Sequence, residues 1–109
     1  MSFHMTAEEG SIRVLGDKRT LIGRLEDENG EYQDASIDLD QFLGNNNGSF
    51  QWDGVSFSET AEGVHFDIEG GSNVPVLRAQ LRNEAGDYVD ANVNLAERIR
   101  NENGQFQFE

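Results

Sequence analysis

Residues Ala35–Trp52 read ASIDLDQFLGNNNGSFQW, and residues Ala91–Phe108 read ANVNLAERIRNENGQFQF. At an offset of 56 residues, seven of these 18 positions are identical: Ala35/Ala91, Leu39/Leu95, Asn45/Asn101, Asn47/Asn103, Gly48/Gly104, Phe50/Phe106 and Gln51/Gln107. Each copy runs as an alternating segment, one short helical turn, an Asn-rich loop closed by Gly, and a closing strand. Asn and Gly accept positive φ, and Asn bonds its own backbone, so the loop is a structured turn. It also holds amides, at once donors and acceptors, in a fixed place.

The repeat extends outward over the whole chain. Phe3–Glu8 (FHMTAE) matches Phe57–Glu62 (FSETAE) at an offset of 54. The apolar alternating runs Ile12–Val14 and Leu21–Leu25 have counterparts in Val64–Ile68 and Val76–Leu81. Between them, Leu15–Arg19 is shorter than Glu69–Asn73 leading to Pro75, and this insertion changes the offset. Turns between strands tolerate such insertions. Asn29-Gly30 before Tyr32, and Ala85-Gly86 before Tyr88, mark hairpins between strands. Repeat 1 therefore covers residues 1–53 and repeat 2 residues 54–109, meeting at Asp53-Gly54. A unit of about 50 residues buries too little apolar surface to stand alone. The two repeats are expected to form one all-β domain with a shared core that includes Ile37, Leu39, Phe50, Trp52, Val93, Leu95, Phe106 and Phe108. The opening segments carrying Thr6 and Thr60 read as strands. Gly54 reads as a hinge, which predicts a monomer able to exchange into a swapped dimer.

Composition narrows the partners. The chain carries 8 Lys+Arg against 21 Asp+Glu, a net charge of −13. That charge repels phosphate backbones and anionic membranes, so neither nucleic acid nor membrane is an expected partner. Cysteine is absent from the sequence, which removes disulfides and thiolate metal sites. The start, Met1-Ser2-Phe3-His4-Met5, lacks the basic and apolar segments of a secretory signal, and the cytosol is the expected compartment. Asn47-Gly48-Ser49 fits a glycosylation acceptor that only a secreted chain would use.

Ser36-Ile37-Asp38-Leu39, Asn47-Gly48-Ser49-Phe50-Gln51-Trp52 and Phe57-Ser58-Glu59-Thr60, set in two tandem repeats, resemble the cyanovirin-N homology lectins from Phe3 to Glu109. The resemblance implies a pseudo-twofold, strand-exchanged all-β fold with short 3-10 turns. Its halves would comprise residues 1–42 plus 98–109, and residues 43–97. It implies a non-catalytic, metal-independent lectin without cofactors, binding high-mannose or oligomannose glycans through α(1→2)-linked mannose. Members often carry two disulfides. The positions that would hold them here are Ala7 with Leu25 and Ala61 with Leu81, each a small residue against a large apolar one.

The resemblance also groups the site residues. The second-half pocket would gather Asn45, Asn46 and Asn47, then Ser56, Glu59 and Thr60 from the second opening strand, then Arg82, Asn83 and Glu84. The first-half pocket would gather Met5 and Thr6, then Glu26, Asp27 and Glu28, then Asn101, Glu102 and Asn103. The second-half pocket is expected to bind better. It mixes donors and acceptors, whereas Met5 and the three acidic residues of the first offer few donors. Arg100 also stands where the second half has Gly44. Three other readings compete with a lectin. Glu59 and Glu84 are a conceivable glycosidase pair, but no nucleophile constellation accompanies them, and His4 and His65 occupy non-equivalent places. Asp27-Glu28-Asn29-Gly30 fails calcium-loop spacing, because Leu25 stands where the first acidic ligand is needed. A small structural or protein-interaction module with a degenerate sugar site is the third.

Overall fold

The computed structural model describes residues 3–71 and 73–109. Met1 and Ser2 of the start, and Ser72 of the longer repeat-2 loop, lie outside them. The described residues hold ten strands: β1 (Arg13–Val14), β2 (Thr20–Glu26), β3 (Tyr32–Asp38), β4 (Leu43–Asn46), β5 (Ser49–Trp52), β6 (Ala61–Glu69), β7 (Val74–Arg82), β8 (Tyr88–Asn94), β9 (Ile99–Glu102) and β10 (Gln105–Phe108). Four 3-10 turns punctuate them, at Phe3–Thr6, Leu39–Gln41, Phe57–Thr60 and Leu95–Glu97. The opening segments with Thr6 and Thr60 are thus 3-10 turns and not the strands expected. In a turn this tight, successive side chains fan around the axis. Phe3 and Phe57 can therefore be fully buried while Met5 and Glu59 stay exposed.

β1-β2-β3 and β6-β7-β8 are antiparallel three-stranded sheets, and β4-β5 and β9-β10 are separate hairpins. The hairpins change partners between repeats: β5 of repeat 1 packs on β8 of repeat 2, and β10 packs on β3. Each hairpin turns through Asn-Gly with both residues at positive φ, 49° and 89° at Asn47-Gly48, and 49° and 86° at Asn103-Gly104. This is the geometry that matches the twist of the flanking strands. Neither glycine tolerates a side chain. A Cβ at Gly48 would lie 2.5 Å from Val89 Cγ2, and one at Gly104 would lie 3.0 Å from Gln33 Cγ. The glycines let each hairpin lie flat on the opposite repeat.

Alternation in β2 buries Leu21, Gly23 and Leu25 and leaves Arg24 and Glu26 outside. β7 does the same with Leu77, Ala79 and Leu81. One core takes equivalent residues from both repeats: Phe3 with Phe57, Leu25 with Leu81, Leu39 with Leu95, and Leu43 with Ile99. Full burial of each such side chain is worth about 1.5–3 kcal/mol. Val93 and Phe106 are buried, while Ile37, Phe50 and Trp52 pack against the core half-buried. Phe108 departs from expectation. It stacks on Phe42 at 4.3 Å, in a cluster outside the main core. Ala7 bridges Leu25, and Ala61 pairs with Leu81, so an apolar contact stands at each position the resemblance gave to a disulfide. The molecule measures 50 × 28 × 23 Å.

Two asparagines rivet the exchanged hairpins in place. Asn45 Nδ2 donates to Thr60 Oγ1 and to the Arg82 carbonyl, both at 2.8 Å, and Asn45 Oδ1 accepts from Gly48 N at 2.8 Å. Asn101 repeats the set: Nδ2 donates to Thr6 Oγ1 at 2.8 Å and to the Glu26 carbonyl at 2.9 Å, and Oδ1 accepts from Gly104 N at 2.8 Å. Each removal strands a carbonyl and an amide. Asn45→Ala and Asn101→Ala are each expected to destabilise the fold by about 2–3 kcal/mol, measured as a shifted urea midpoint. Unchanged midpoints would show the rivets to be incidental.

The repeats join where the backbone crosses itself. A Cβ at Gly44 would lie 3.0 Å from both Gly54 Cα and Val55 N, and one at Gly54 would lie 2.8 Å from Gly44 Cα. Buried Asp40 fastens the crossing. Its carbonyl accepts from Ser56 N at 2.8 Å, and its carboxylate accepts from Ser58 N at 3.0 Å and from the Ser58 hydroxyl. Ala96 holds the equivalent place in repeat 2, where no such crossing occurs. Gly44→Ala pushes backbone against backbone, so it is expected to cost the closed monomer about 1–3 kcal/mol and raise the dimer fraction on a sizing column. An unaltered elution profile at high concentration would count against the hinge.

His4 lies in the first 3-10 turn, with its Nδ1 buried and unpartnered among the described residues. Burial pushes its pKa below the ordinary histidine value, opposed by a backbone hydrogen bond with Asn73. The unfolded chain therefore binds the proton more readily, and His4 contributes stability above about pH 6.5 that is lost as pH falls through its folded pKa. Melting temperature should fall on acidification below neutrality, and His4→Gln should flatten that part of the profile. An identical profile in the variant would exclude His4 as the cause.

Candidate functional site

At the second end, the rivet decides which groups remain for a ligand. Asn45 has spent both amide protons, one on Thr60 Oγ1 and one on the Arg82 carbonyl. Asn47 Oδ1 accepts from Glu84 N at 2.9 Å, and Asn83 Oδ1 accepts from Asp87 N at 3.0 Å. Asn45 and Thr60 are therefore walls of this end, while Asn47 and Asn83 anchor the hairpin through Oδ1 and keep Nδ2 groups without a partner among the described residues. The other five residues assigned to this end are not bonded in this way. Asn46, Glu59, Arg82 and Glu84 are exposed, and Ser56 is half-buried. Among the described residues, none of these five side chains has a hydrogen-bond or ion-pair partner. Together they offer an amide, a hydroxyl, a guanidinium and two carboxylates. Of the nine residues assigned to this end, Asn45 and Thr60 serve the framework, Asn47 and Asn83 anchor it through Oδ1, and five side chains have no partner among the described residues.

The first end has the same walls. Asn101 binds Thr6, and Asn103 Oδ1 accepts from Glu28 N at 2.9 Å. Asp27, expected as a binding group, is instead the former of the hairpin turn. Its carboxylate accepts from Asn29 N at 2.9 Å, Glu31 N at 3.0 Å and Gln33 Nε2 at 2.9 Å. The Glu31 N–H first, and Gln33 next, hold its pKa below the usual carboxylate range. Glu102 pairs with Arg100 at 3.4 Å, and Arg100 also reaches Glu109 at 3.1 Å. Among the described residues, the free groups left here are the carboxylates of Glu26 and Glu28 and the Nδ2 amide of Asn103; Met5 is 62% exposed. The two ends share a scaffold and differ in chemistry.

Sequence reasoning missed two residues at the second end. Val55 is 65% exposed beside Ser56, and Val89 closes over Gly48. A signal existed for the second, because Gly48 and Gly104 recur where a backbone must approach another strand. Asp40 was also missed, although Asp40 opposite Ala96 is a visible break in the repeat.

The comparisons with known proteins agree with this fold. The family model described as the CVNH domain matches residues 3–107. A cyanovirin-N homolog of Neurospora crassa is 50% identical over 108 residues, covering 98% of this chain and 97% of the relative. The solution structure of the Gibberella zeae CVNH protein is 42% identical, covers 97% of this chain and 95% of its own, and superposes with a TM-score of 0.86. A designed cyanovirin-N homolog lectin is 38% identical, with full coverage of both chains and a TM-score of 0.90. The microvirin–mannobiose complex, 21% identical with a TM-score of 0.84, shares the fold. With a matching family model and close relatives spanning nearly all of its length, the chain belongs to the CVNH, or cyanovirin-N homology, family.

Proposed function

We propose that the chain is a lectin for mannose-containing glycans, with α(1→2)-linked mannose as the preferred unit, and that its second end is the better site. The observation that carries this reading is the free set at that end. Vicinal hydroxyls each donate and accept, and a mispaired polar group costs about 1–3 kcal/mol. Arg82 supplies donors, Glu59 and Glu84 supply acceptors, and Asn46 and Ser56 supply both. The first end offers the carboxylates of Glu26 and Glu28, which lack donors and repel one another, with the Asn103 Nδ2 amide as the donor beside them. The designed lectin relative and the mannobiose complex of microvirin support the ligand class. Neither a metal nor a catalytic group enters this reading.

The test is a titration of labelled protein with α(1→2)-mannobiose followed by amide shifts. A small hydroxyl ligand on a shallow site is expected near a Kd of about 1 mM, about −4 kcal/mol. Glu59→Ala with Arg82→Ala should abolish the shifts, while Glu28→Ala with Glu102→Ala should leave them nearly intact. The framework is untouched in both. The reverse pattern would move the site to the first end. Loss of binding on adding a chelator, or release of free mannose, would reject the reading.

A further inference from the structure

Midway between the ends, the pseudo-twofold is broken by four side chains. Phe42 and Arg98 are equivalent by the repeat, and so are Trp52 and Phe108. Phe42 stacks on Phe108 with ring centroids 4.3 Å apart and planes 24° apart. The Arg98 guanidinium lies 4.7 Å from the centroid of the same Phe108 ring. Two groups at these distances cannot share one face, so Phe108 is sandwiched and Phe42 ends the stack. On the Trp52 side the equivalent groups are committed: Trp52 Nε1 donates to Glu97 at 3.2 Å, and Arg98 reaches Asp53 at 3.3 Å.

The Phe42 side is open. A hollow of about 400 Å³ is bordered there by Phe42, Phe106 and Phe108, with Gln41, Gln107 and Ser36 among the polar groups around it. Gln41 stands where Glu97 closes the other side, and its amide has no partner among the described residues. Gln107 makes only a 3.5 Å contact with the neighbouring Phe108 carbonyl. Asp38 also borders the hollow, but its carboxylate is held by Arg19 and by Asp40 N. Arg19 and Arg98 are both ion-paired, so among the described residues no unpaired cation stands beside the hollow. The site therefore combines the outer face of Phe42 with neutral, unspent amides, in a chain of net charge −13 that disfavours anions.

We propose that this hollow is a third saccharide site, separate from the two ends, and that it takes a neutral β-linked, gluco-configured oligosaccharide. In such a sugar all the ring substituents are equatorial. Both faces then present axial C–H groups, a flat apolar surface suited to an aromatic ring, while the hydroxyls point sideways toward amides. The axial 2-hydroxyl of mannose interrupts one of those faces, so this site discriminates against the ligand proposed for the ends. The hollow lies within the range of about 300–1,000 Å³ usual for small-ligand sites.

The test titrates the whole labelled protein with cellotetraose, and separately with α(1→2)-mannobiose. Cellotetraose should shift the backbone amides of Phe42 and Phe108 and the side-chain amides of Gln41 and Gln107. Gln41→Ala with Gln107→Ala, two exposed positions, should weaken that binding roughly tenfold or more, as loss of two amide partners implies. The same variant should leave both the melting temperature and the mannobiose shifts unchanged. Phe42→Trp, a larger platform, should tighten cellotetraose binding. Absence of cellotetraose shifts at the hollow, shifts confined to the ends, or indifference to the glutamine variant would overturn the proposal. So would hollow shifts that track protein concentration without sugar, which would mark a self-association face. The mannobiose arm reads the ends alone, so failure there leaves the third site standing.

Discussion

The structure depends on a side-chain amide doing a job that backbone pairing cannot. Each Asn-Gly hairpin belongs to one repeat in sequence and to the other repeat in space. No continuous sheet connects it to its host, because β4-β5 and β9-β10 pair only with themselves. The asparagine at the base of each hairpin therefore supplies the directional bonds, reaching a threonine hydroxyl and a hairpin carbonyl of the opposite repeat. Apolar packing holds the layers together without direction; the amide sets the orientation. Because the same bonds fix the walls of each candidate pocket, stability and site geometry at both ends rest on one residue type.

Much of this was legible in the sequence. The repeat, the hairpin glycines and the pairing of equivalent leucines follow from alternation and from Asn-Gly chemistry. The role of the asparagines was not. Spacing shows that Asn45 and Asn101 recur, but it does not show whether an amide faces a ligand or a carbonyl. The opening segments misled for a related reason. In FHMT and FSET, one buried Phe followed by polar residues fits a strand end as well as a 3-10 turn. The burial of Phe3 and Phe57 under the opposite hairpins decided between them. Asp27 was read as a binding group because its three acceptor bonds, all within its own hairpin, leave no mark on composition.

Departures from symmetry have a common origin. The chain passes from one repeat to the next only once. At that point Gly44, Gly54 and Asp40 are required by close backbone approach and by the clasp on Ser58. The corresponding positions in repeat 2 face no such crossing, and Arg100 and Ala96 stand there. The second end is thus shaped partly by the linker, while the first end is free to carry the Arg100–Glu102 pair. The two ends of one scaffold become different through connectivity.

The exchange of hairpins also orders events during synthesis. The half built on β6-β7-β8 receives its hairpin, β4-β5, from sequence that has already left the ribosome, and its elements are complete once Asn94 has been made. The half built on β1-β2-β3 has the earliest strands but waits for β9-β10, because the partners of Asn101 lie 95 and 75 residues upstream. Its apolar face stays uncovered through most of translation, the condition under which nascent chains aggregate or pair with one another. The N-terminal sheet is therefore the first made and the last closed, and the acidic charge of the chain opposes its pairing with other nascent copies during that wait.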